Sequence, residues 1–362
     1  MPSETAFSVV DQRWMREALA LARCGLFTTH PNPRVGCVIV NDARRVGQGW
    51  HVRAGEPHAE IIALREAGDA SRGATVYVTL EPCAHHGRTP PCADELIAAG
   101  VSRMVAAMRD PFAAVDGRGF AKLQAAGIAV EYGLLEQEAE DLNQGFLKRV
   151  RHGRPWVRLK LAASLDGRIA MASGESRWIT GEAARLDAHR WRARSDVILT
   201  GIGTVLADDP RLTARDVEGL DRQPTRVILD REGRTPPSAR VLTEPGTVLV
   251  FRHGGVELAG AENILAPLDT RGRVDLTFVM RALGAREFNE VLVECGSKLA
   301  GSLIEAGTVD ELLIYLAPCL LGSTALPMVL LDSVQSLTER KQFKLVDVAP
   351  IGTDLRLLLR RV

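Results

Sequence analysis

An excess of charge of either sign is missing: the 362-residue chain carries 45 Lys+Arg against 45 Asp+Glu, a formal net charge of zero. Gripping a polyanion requires surplus cations to displace its counterions, so this balance argues against a dedicated nucleic-acid binder. Aromatic residues are also scarce at 5%, too few for the stacking platforms that single strands need. No stretch approaches the ~18–20 continuous apolar residues of a membrane span. The opening residues, MPSETAFSVV, lack a basic region followed by an apolar core, so no secretory signal is read there. The expectation is a cytoplasmic protein that works with neither nucleic acid nor membrane. Repeats and low-complexity tracts are absent as well.

Cysteine is sparse. Six residues (Cys24, Cys37, Cys83, Cys92, Cys295 and Cys319) are too few for a disulfide framework in a chain of this length. Four of them sit singly inside apolar runs, where a cysteine reads as a small buried side chain. Cys83 and Cys92 differ, because prolines, histidines and an arginine surround them. They carry the first chemical signal.

What is present is ordinary for a protein with full-sized cores: 46% hydrophobic and 25% charged residues. The length suggests two domains, since one core seldom grows past about 250–300 residues. The first half alternates helix and strand patterns: a helix over 11–23, strands over 35–40 and 46–52, and a helix over 59–67. Strand 74–80, helix 93–99, strand 103–108, helix 120–126, strand 128–132 and helix 135–149 follow. Helices on both faces of a central sheet are expected. The basic, glycine-containing stretch Lys148–Pro155 interrupts the pattern, and we place a boundary there, giving domains 1–152 and 153–362. Beyond it, strands over 156–162, 196–200, 226–230, 247–251, 290–294 and 310–316 alternate with helices over 182–194, 277–283 and 299–306. The second domain is also α/β.

His58-Ala59-Glu60 is followed, after a strand, by Pro82-Cys83 and then Cys92. One imidazole and two thiolates are a three-ligand set that leaves zinc a fourth position for water. Bound zinc lowers the pKa of water from 15.7 toward ~7. Glu60, two residues past the histidine, is close enough to shuttle protons without being a ligand. His-x-Glu followed by Pro-Cys-x-x-Cys is the signature of zinc-dependent deaminases. Here eight residues separate the cysteines, so a loop must fold back to bring both sulfurs to one metal. His85 and His86 lie on that loop, where substrate contact or loop packing suits them better than ligation. His51 reads as a strand-end residue.

Two glycine turns mark the second domain. A strand runs into Thr200-Gly201-Ile202-Gly203-Thr204, and another into Glu294-Cys295-Gly296-Ser297. Backbone amides in such turns can approach a phosphate closely. One Gly-x-Gly alone is weak, because the third glycine of a dinucleotide fingerprint is missing. Two in one domain favour a dinucleotide cradle.

Pro31-Asn32-Pro33-Arg34-Val35-Gly36-Cys37-Val38, His58-Ala59-Glu60 and the proline-rich Pro82–Cys92 segment resemble the deaminase domain of the bacterial bifunctional riboflavin-biosynthesis family RibD. The second half resembles that family's reductase domain at Lys160–Arg168, Ser173–Thr180 and Thr200–Arg215, and the likeness covers roughly residues 11–355. It implies a cytidine-deaminase-like α/β/α domain followed by a dihydrofolate-reductase-like α/β domain. It implies zinc and NADPH as cofactors, a phosphorylated pyrimidine as substrate, and two consecutive steps: hydrolytic deamination, then reduction of the ribosyl side chain. A homo-oligomer is expected.

By the same resemblance Asn32 contacts the pyrimidine, which suits an amide that donates and accepts at once. Cofactor contacts fall at Ala162, Trp178, Thr204 and Asp208, and along Gly296, Ser297, Lys298, Leu299, Ala300, Gly301 and Ser302. Substrate contacts fall at Ser176, Arg192, Leu212, Arg215 and Glu294. Arg192 and Arg215 make chemical sense as phosphate clamps. Lys160 is placed to orient the sugar or donate a proton. Family members often carry a small hydroxyl residue after the Asp230 strand; Arg231 stands there, suited to an adenosine 2′-phosphate. The rival reading is a nucleic-acid base deaminase with a non-catalytic C-terminal binding domain, which shares the His-x-Glu and cysteine logic.

Overall fold

The computed structural model describes residues 7–84, 91–113, 115–332 and 334–362. One compact unit spans Met1–His152 and a second spans Gly153–Val362. Among the described residues no helix is long and apolar enough to cross a membrane.

The first unit contains α1 (Val9–Arg23), β1 (Gly36–Asn41), β2 (Arg44–Trp50), α2 (Ala59–Ala67), β3 (Thr75–Val78), α3 (Cys92–Ala98), β4 (Arg103–Ala106), α4 (Arg118–Ala125), β5 (Ala129–Tyr132), α5 (Glu136–Leu142) and α6 (Gln144–His152). The sheet order is β2-β1-β3-β4-β5, antiparallel about β1 and parallel from β3 to β5. Strand alternation sends successive side chains to opposite faces. Cys37 and Ile39 therefore pack with Ala59, Ala63, Leu96 and Leu123 on one side. Val38 and Val40 pack with Met15, Leu19, Ala139 and Phe146 on the other. Both faces are covered by helices, the expected α/β/α arrangement.

The single helix expected over 135–149 is instead two helices, parted at Asn143. The Asn143 side chain accepts from Arg34 N at 2.8 Å and donates to Arg34 O at 3.0 Å. A side chain that reaches across 109 residues leaves no periodic trace in the sequence. Its effect is to anchor the Pro31–Arg34 loop that carries Asn32.

The second unit contains β6 (Trp156–Ser164), β7 (Arg168–Ala170), α7 (Glu182–Arg194), β8 (Val197–Gly201), α8 (Ile202–Asp208), β9 (Thr225–Leu229), α9 (Arg240–Thr243), β10 (Val248–Arg252), β11 (Glu262–Leu265), α10 (Leu276–Ala285), β12 (Glu290–Glu294), α11 (Ser297–Glu305), β13 (Glu311–Ala317), β14 (Leu326–Pro327), β15 (Phe343–Ile351) and β16 (Asp354–Arg361). Nine strands form one sheet in the order β11-β10-β9-β8-β12-β6-β13-β16-β15, and β7 pairs with β14 separately. From β11 to β13 every neighbour is parallel; β16 and β15 close the edge as an antiparallel hairpin.

Parallel strands need helical crossovers, and these place α11 and α8 differently. After β12, α11 packs Ala300, Leu303 and Ile304 into the larger core with α10 and the Val197/Leu199 side of β8. After the neighbouring β8, α8 packs Val205 against Ile198 on the opposite face. Adjacent strands whose following helices leave to opposite faces open a crevice at their carboxyl ends, where ligands bind in open α/β sheets. Both glycine turns sit at that edge.

Candidate active sites

In the first unit, His58 precedes α2 with extended backbone (φ −72°, ψ 163°) and does not cap the helix with its side chain. The imidazole is thereby free to turn toward α3, which Cys92 opens. His58 Nδ1 lies 3.2 Å from Cys92 Sγ and 3.6 Å from Cys83 Sγ. The backbone N–H of Cys92 donates to Cys83 Sγ at 3.3 Å, so the two cysteines meet although eight residues separate them in sequence. All three ligand atoms lie within 4.8 Å of one another, and among the described residues they are the group suited to hold a metal ion. The Cys92 thiol, then His58, draws the Cys83 thiol down to about 4. Cys92 is pushed up because it supplies the shared proton and is buried. The Cys83 contact raises the His58 imidazole above its ordinary value, against burial. One nitrogen and two sulfurs, converging with one thiolate already favoured, fit a zinc ion.

Glu60 sits in the first turn of α2 and is 3% exposed. Its Oε2 is buried with no hydrogen-bond partner among the described residues. Burial raises this carboxyl, and His58 opposes the rise. A buried carboxylate oxygen left unpaired beside three ligand atoms is costly unless something polar comes to it.

Two further residues shape this site, and the sequence reading gave them no role. His51, read as a strand-end residue, is 3% exposed. Its Nδ1 lies 3.2 Å from the Pro57 carbonyl and its Nε2 lies 3.0 Å from Asn32 Nδ2. The carbonyl only accepts, so the ring proton is on Nδ1 and Nε2 accepts from the Asn32 amide. Asn32 is thus held with Oδ1 available. The His51 ring also meets His58 edge-on, with centroids 5.3 Å apart. Glu81, which opens the Glu-Pro-Cys run, accepts from the backbone N–H groups of Asp110, Gly117, Gly119 and Phe120 at 2.9–3.4 Å. It braces the Cys83 arm against the start of α4. Gly119 permits the close approach: a Cβ there would lie 2.1 Å from the Pro82 carbonyl oxygen. No local pattern marks either residue, since both act through contacts distant in sequence. His85 and His86 lie outside the described residues.

In the second unit the charged centre lies at the end of β12. Glu294 receives Arg192 Nε and Nη2 at 2.6 and 2.8 Å, while Arg192 Nη1 donates to the Thr213 carbonyl at 3.0 Å. Against the upward pull of burial, Arg192, Lys160 and His189 hold Glu294 down to about 2. Burial lowers Lys160, and Glu294 opposes that; its ammonium also stands 5.8 Å from the Tyr315 ring centroid. Arg192 therefore spends its fork on Glu294 and Thr213, while Arg215, exposed on the loop after α8, has Nη1 bonded to Thr213 Oγ1 at 2.7 Å.

The glycine turns meet one another. A Cβ on Gly201 would lie 3.0 Å from Leu299 Cδ2, whereas none of the surroundings comes within 4 Å of one on Gly203 or Gly296. No side chain caps α11 at Gly296, which leaves the first-turn N–H groups for an anion. Thr204, Leu299 and Ser302 are half-buried and Lys298 is exposed. Ser297 donates to the Pro327 carbonyl. Ala300 is fully buried in the core, and a Cβ on Gly301 would lie 1.6 Å from the Leu330 carbonyl oxygen. Those two residues face the interior.

Trp178 is exposed, with Arg185 4.5 Å from its ring centroid. The neighbouring Arg177 donates to the Asp208 carbonyl at 2.7 Å. Ala162, on β6, pairs in register with Tyr315. Ser176 is half-buried. Leu212 is buried at 2% with φ 52°, a left-handed conformation uncommon for a bulky residue. Its side chain belongs to the core, which leaves its backbone as the part able to meet a ligand. Arg231 donates to the Gly272 carbonyl at 2.7 Å and pairs with Glu232 at the surface.

Two family matches divide the chain as the geometry does. Residues 8–108 match the cytidine and deoxycytidylate deaminase zinc-binding region, and residues 155–357 match the RibD C-terminal domain. Fold and site together define a two-part enzyme, a zinc deaminase joined to a reductase. Riboflavin biosynthesis protein RibD of Escherichia coli is 51% identical over 363 residues, covering 96% of this chain and 99% of its own length. The Aquifex aeolicus protein of the same name is 39% identical, covering 97% and 99%. The solved structure of Acinetobacter baumannii RibD aligns with a TM-score of 0.91 at 47% identity, covering 98% of this chain and 99% of that one. The Thermotoga maritima diaminohydroxyphosphoribosylaminopyrimidine deaminase/5-amino-6-(5-phosphoribosylamino)uracil reductase aligns at 0.89 and 36% identity, covering 98% and 99%.

The chain belongs to the RibD family, the bifunctional deaminase–reductases of riboflavin biosynthesis. Zinc and NADPH follow as the cofactors of the two domains. A second half that matches a reductase family does not favour the nucleic-acid base deaminase with a merely binding C-terminal domain.

Proposed function

We propose that residues 1–152 deaminate 2,5-diamino-6-ribosylamino-4(3H)-pyrimidinone 5′-phosphate and residues 153–362 then reduce the ribosyl side chain to ribityl. The observation that carries the first step is the unpartnered Glu60 Oε2 beside three converging ligand atoms. His58, Cys83 and Cys92 would hold zinc, which supplies Lewis acidity and makes a neighbouring water readily deprotonated at neutral pH. Glu60 Oε2 takes the proton of the attacking water and returns it to the departing amine, which leaves as ammonia. Asn32 orients the ring: His51 occupies its Nδ2, so Oδ1 accepts a pyrimidine N–H.

In the second step bound NADPH would supply the hydride needed to reduce the ribosyl side chain in its open imine form. The turns at Gly201–Thr204 and Gly296–Leu299 would hold the cofactor's phosphates, together with Trp178, Asp208, Ala162 and Ser302. The interior placement of Ala300 and Gly301 restricts them to shaping that helix. Glu294, held ionised by Arg192, binds sugar hydroxyls together with Ser176 and the Leu212 backbone. Lys160, facing Glu294, delivers the proton that completes reduction. Arg215 takes the phosphate, because the Arg192 fork is spent. A cytoplasmic homo-oligomer completes this reading.

The test uses the full-length enzyme with the diaminopyrimidinone phosphate, with and without NADPH, following ammonia and cofactor oxidation separately. Glu60→Gln is expected to cut ammonia release by roughly 10²–10⁴-fold with zinc retained and cofactor oxidation on the deaminated substrate unchanged. Substantial ammonia release by that variant refutes the role of Glu60.

A further inference from the structure

Beside the Arg192–Glu294 pair, two hydrogen-bond donors face each other, and among the described residues nothing accepts from either. His189 lies on α7, half-buried, opposite the loop that follows α8. Its Nδ1 accepts the backbone N–H of Arg215 at 3.2 Å. A neutral imidazole has one acceptor nitrogen and one donor, so this bond places the ring proton on Nε2. Nε2 lies 3.4 Å from Arg215 Nη2, and a guanidinium nitrogen only donates. The contact is therefore donor against donor.

Among the described residues no acceptor bonds either group: Arg215 Nη1 is already directed to Thr213 Oγ1 at 2.7 Å. Arg192, one turn along α7, is committed to Glu294 and to the Thr213 carbonyl. Two N–H groups converging at a partly open surface suit an anionic oxygen, which accepts from both at once.

We propose that His189 is a specificity residue of the reductase, donating from Nε2 to the phosphate of the sugar substrate while Arg215 Nη2 donates beside it. This rests on the reductase reading given above. The ring works as a neutral donor. Burial, then Arg192 on its own helix and Arg215 on the facing loop, hold it down to about 4, against Glu294 at the end of β12 and Asp216 on the loop. Protonation of Nδ1 would also set it against the Arg215 N–H. The contribution of His189 is therefore flat from pH 6 to 9, unlike that of a titrating cation.

The experiment compares full-length wild type, His189→Ala and His189→Gln at saturating NADPH. The substrates are the deaminated ribosylaminouracil 5′-phosphate and its dephosphorylated counterpart. His189→Ala is expected to raise KM for the phosphorylated substrate roughly 10- to 100-fold, the loss of a hydrogen bond to a charged group. kcat and the KM of the dephosphorylated substrate stay put, and the KM effect keeps its size from pH 6 to 9. His189→Gln, which restores an N–H near the Nε2 position, recovers most of the affinity. Equal KM rises for both substrates, an unmoved KM for the phosphorylated one, or a fall in kcat alone would overturn the assignment. Wild type that oxidises NADPH equally well with either substrate would likewise overturn the phosphate assignment, and wild type that oxidises it with neither would instead overturn the reductase reading on which it rests.

Discussion

The two sites are unbalanced in opposite senses. In the first unit lone pairs are in excess: two sulfurs, an imidazole nitrogen and the Glu60 oxygen crowd together. In the second unit carboxylate and guanidinium cancel at Glu294 and Arg192. What is left over there are donors, at the uncapped start of α11 and between His189 and Arg215. An unpaired polar group costs desolvation, and at a site a ligand of the opposite character can repay it. The sign of the imbalance therefore reports the ligand, a cation in one unit and phosphates in the other.

The sharpest way to break this contrast is to remove the cation. Chelation is expected to abolish ammonia release and to lower the thermal transition of the first unit, since a site assembled around a metal draws folding free energy from it. NADPH oxidation on the deaminated substrate should continue at its former rate; parallel loss of both activities would erase the distinction.

Acid provides the second probe. Glu294 is held at about 2, below the ordinary 4.5. A depressed carboxylate contributes stability that is in full force above its unfolded value and is lost as pH falls through the folded one. The second unit should therefore lose about 3 kcal/mol between pH 4.5 and 2. Denaturant melts across that window should show a weaker dependence in Glu294→Gln, which would also reduce turnover.

The smallest effect concerns Arg231. Its partner Glu232 is exposed, and a surface pair of this kind is worth little, so the guanidinium is free to exchange it for a 2′-phosphate. Arg231→Ala should weaken NADPH binding about tenfold and leave NADH binding unchanged in a fluorescence titration. Equal weakening of both cofactors would show a packing role only.

Much of this organisation was legible in the sequence wherever the signal is local. The helices 59–67 and 182–194 and the strand 290–294 coincide with α2, α7 and β12, because apolar periodicity and flanking glycine or histidine define them without help. The metal trio was legible because its spacing is chemical. Tertiary effects were not. The break at Asn143 depends on Arg34, and α8 hid inside what reads as a glycine loop. The β15–β16 hairpin carries many half-exposed leucines and valines at the sheet edge, so it lacks the alternation that announces a strand. His51, read as a strand end, and Glu81 and His189, given no role, share one reason: each meets a partner that folding brings to it.

The Glu81 carboxylate has a bearing on how this catalyst can be dissected. The zinc-binding homology ends at residue 108, which invites excision of a minimal module there. Such a fragment would keep His58, Cys83 and Cys92 yet forfeit the four backbone donors, beyond position 109, that steady the arm carrying Cys83. A portable hydrolytic cassette must therefore extend at least through Phe120, or its ligand arm will be left without its anchor.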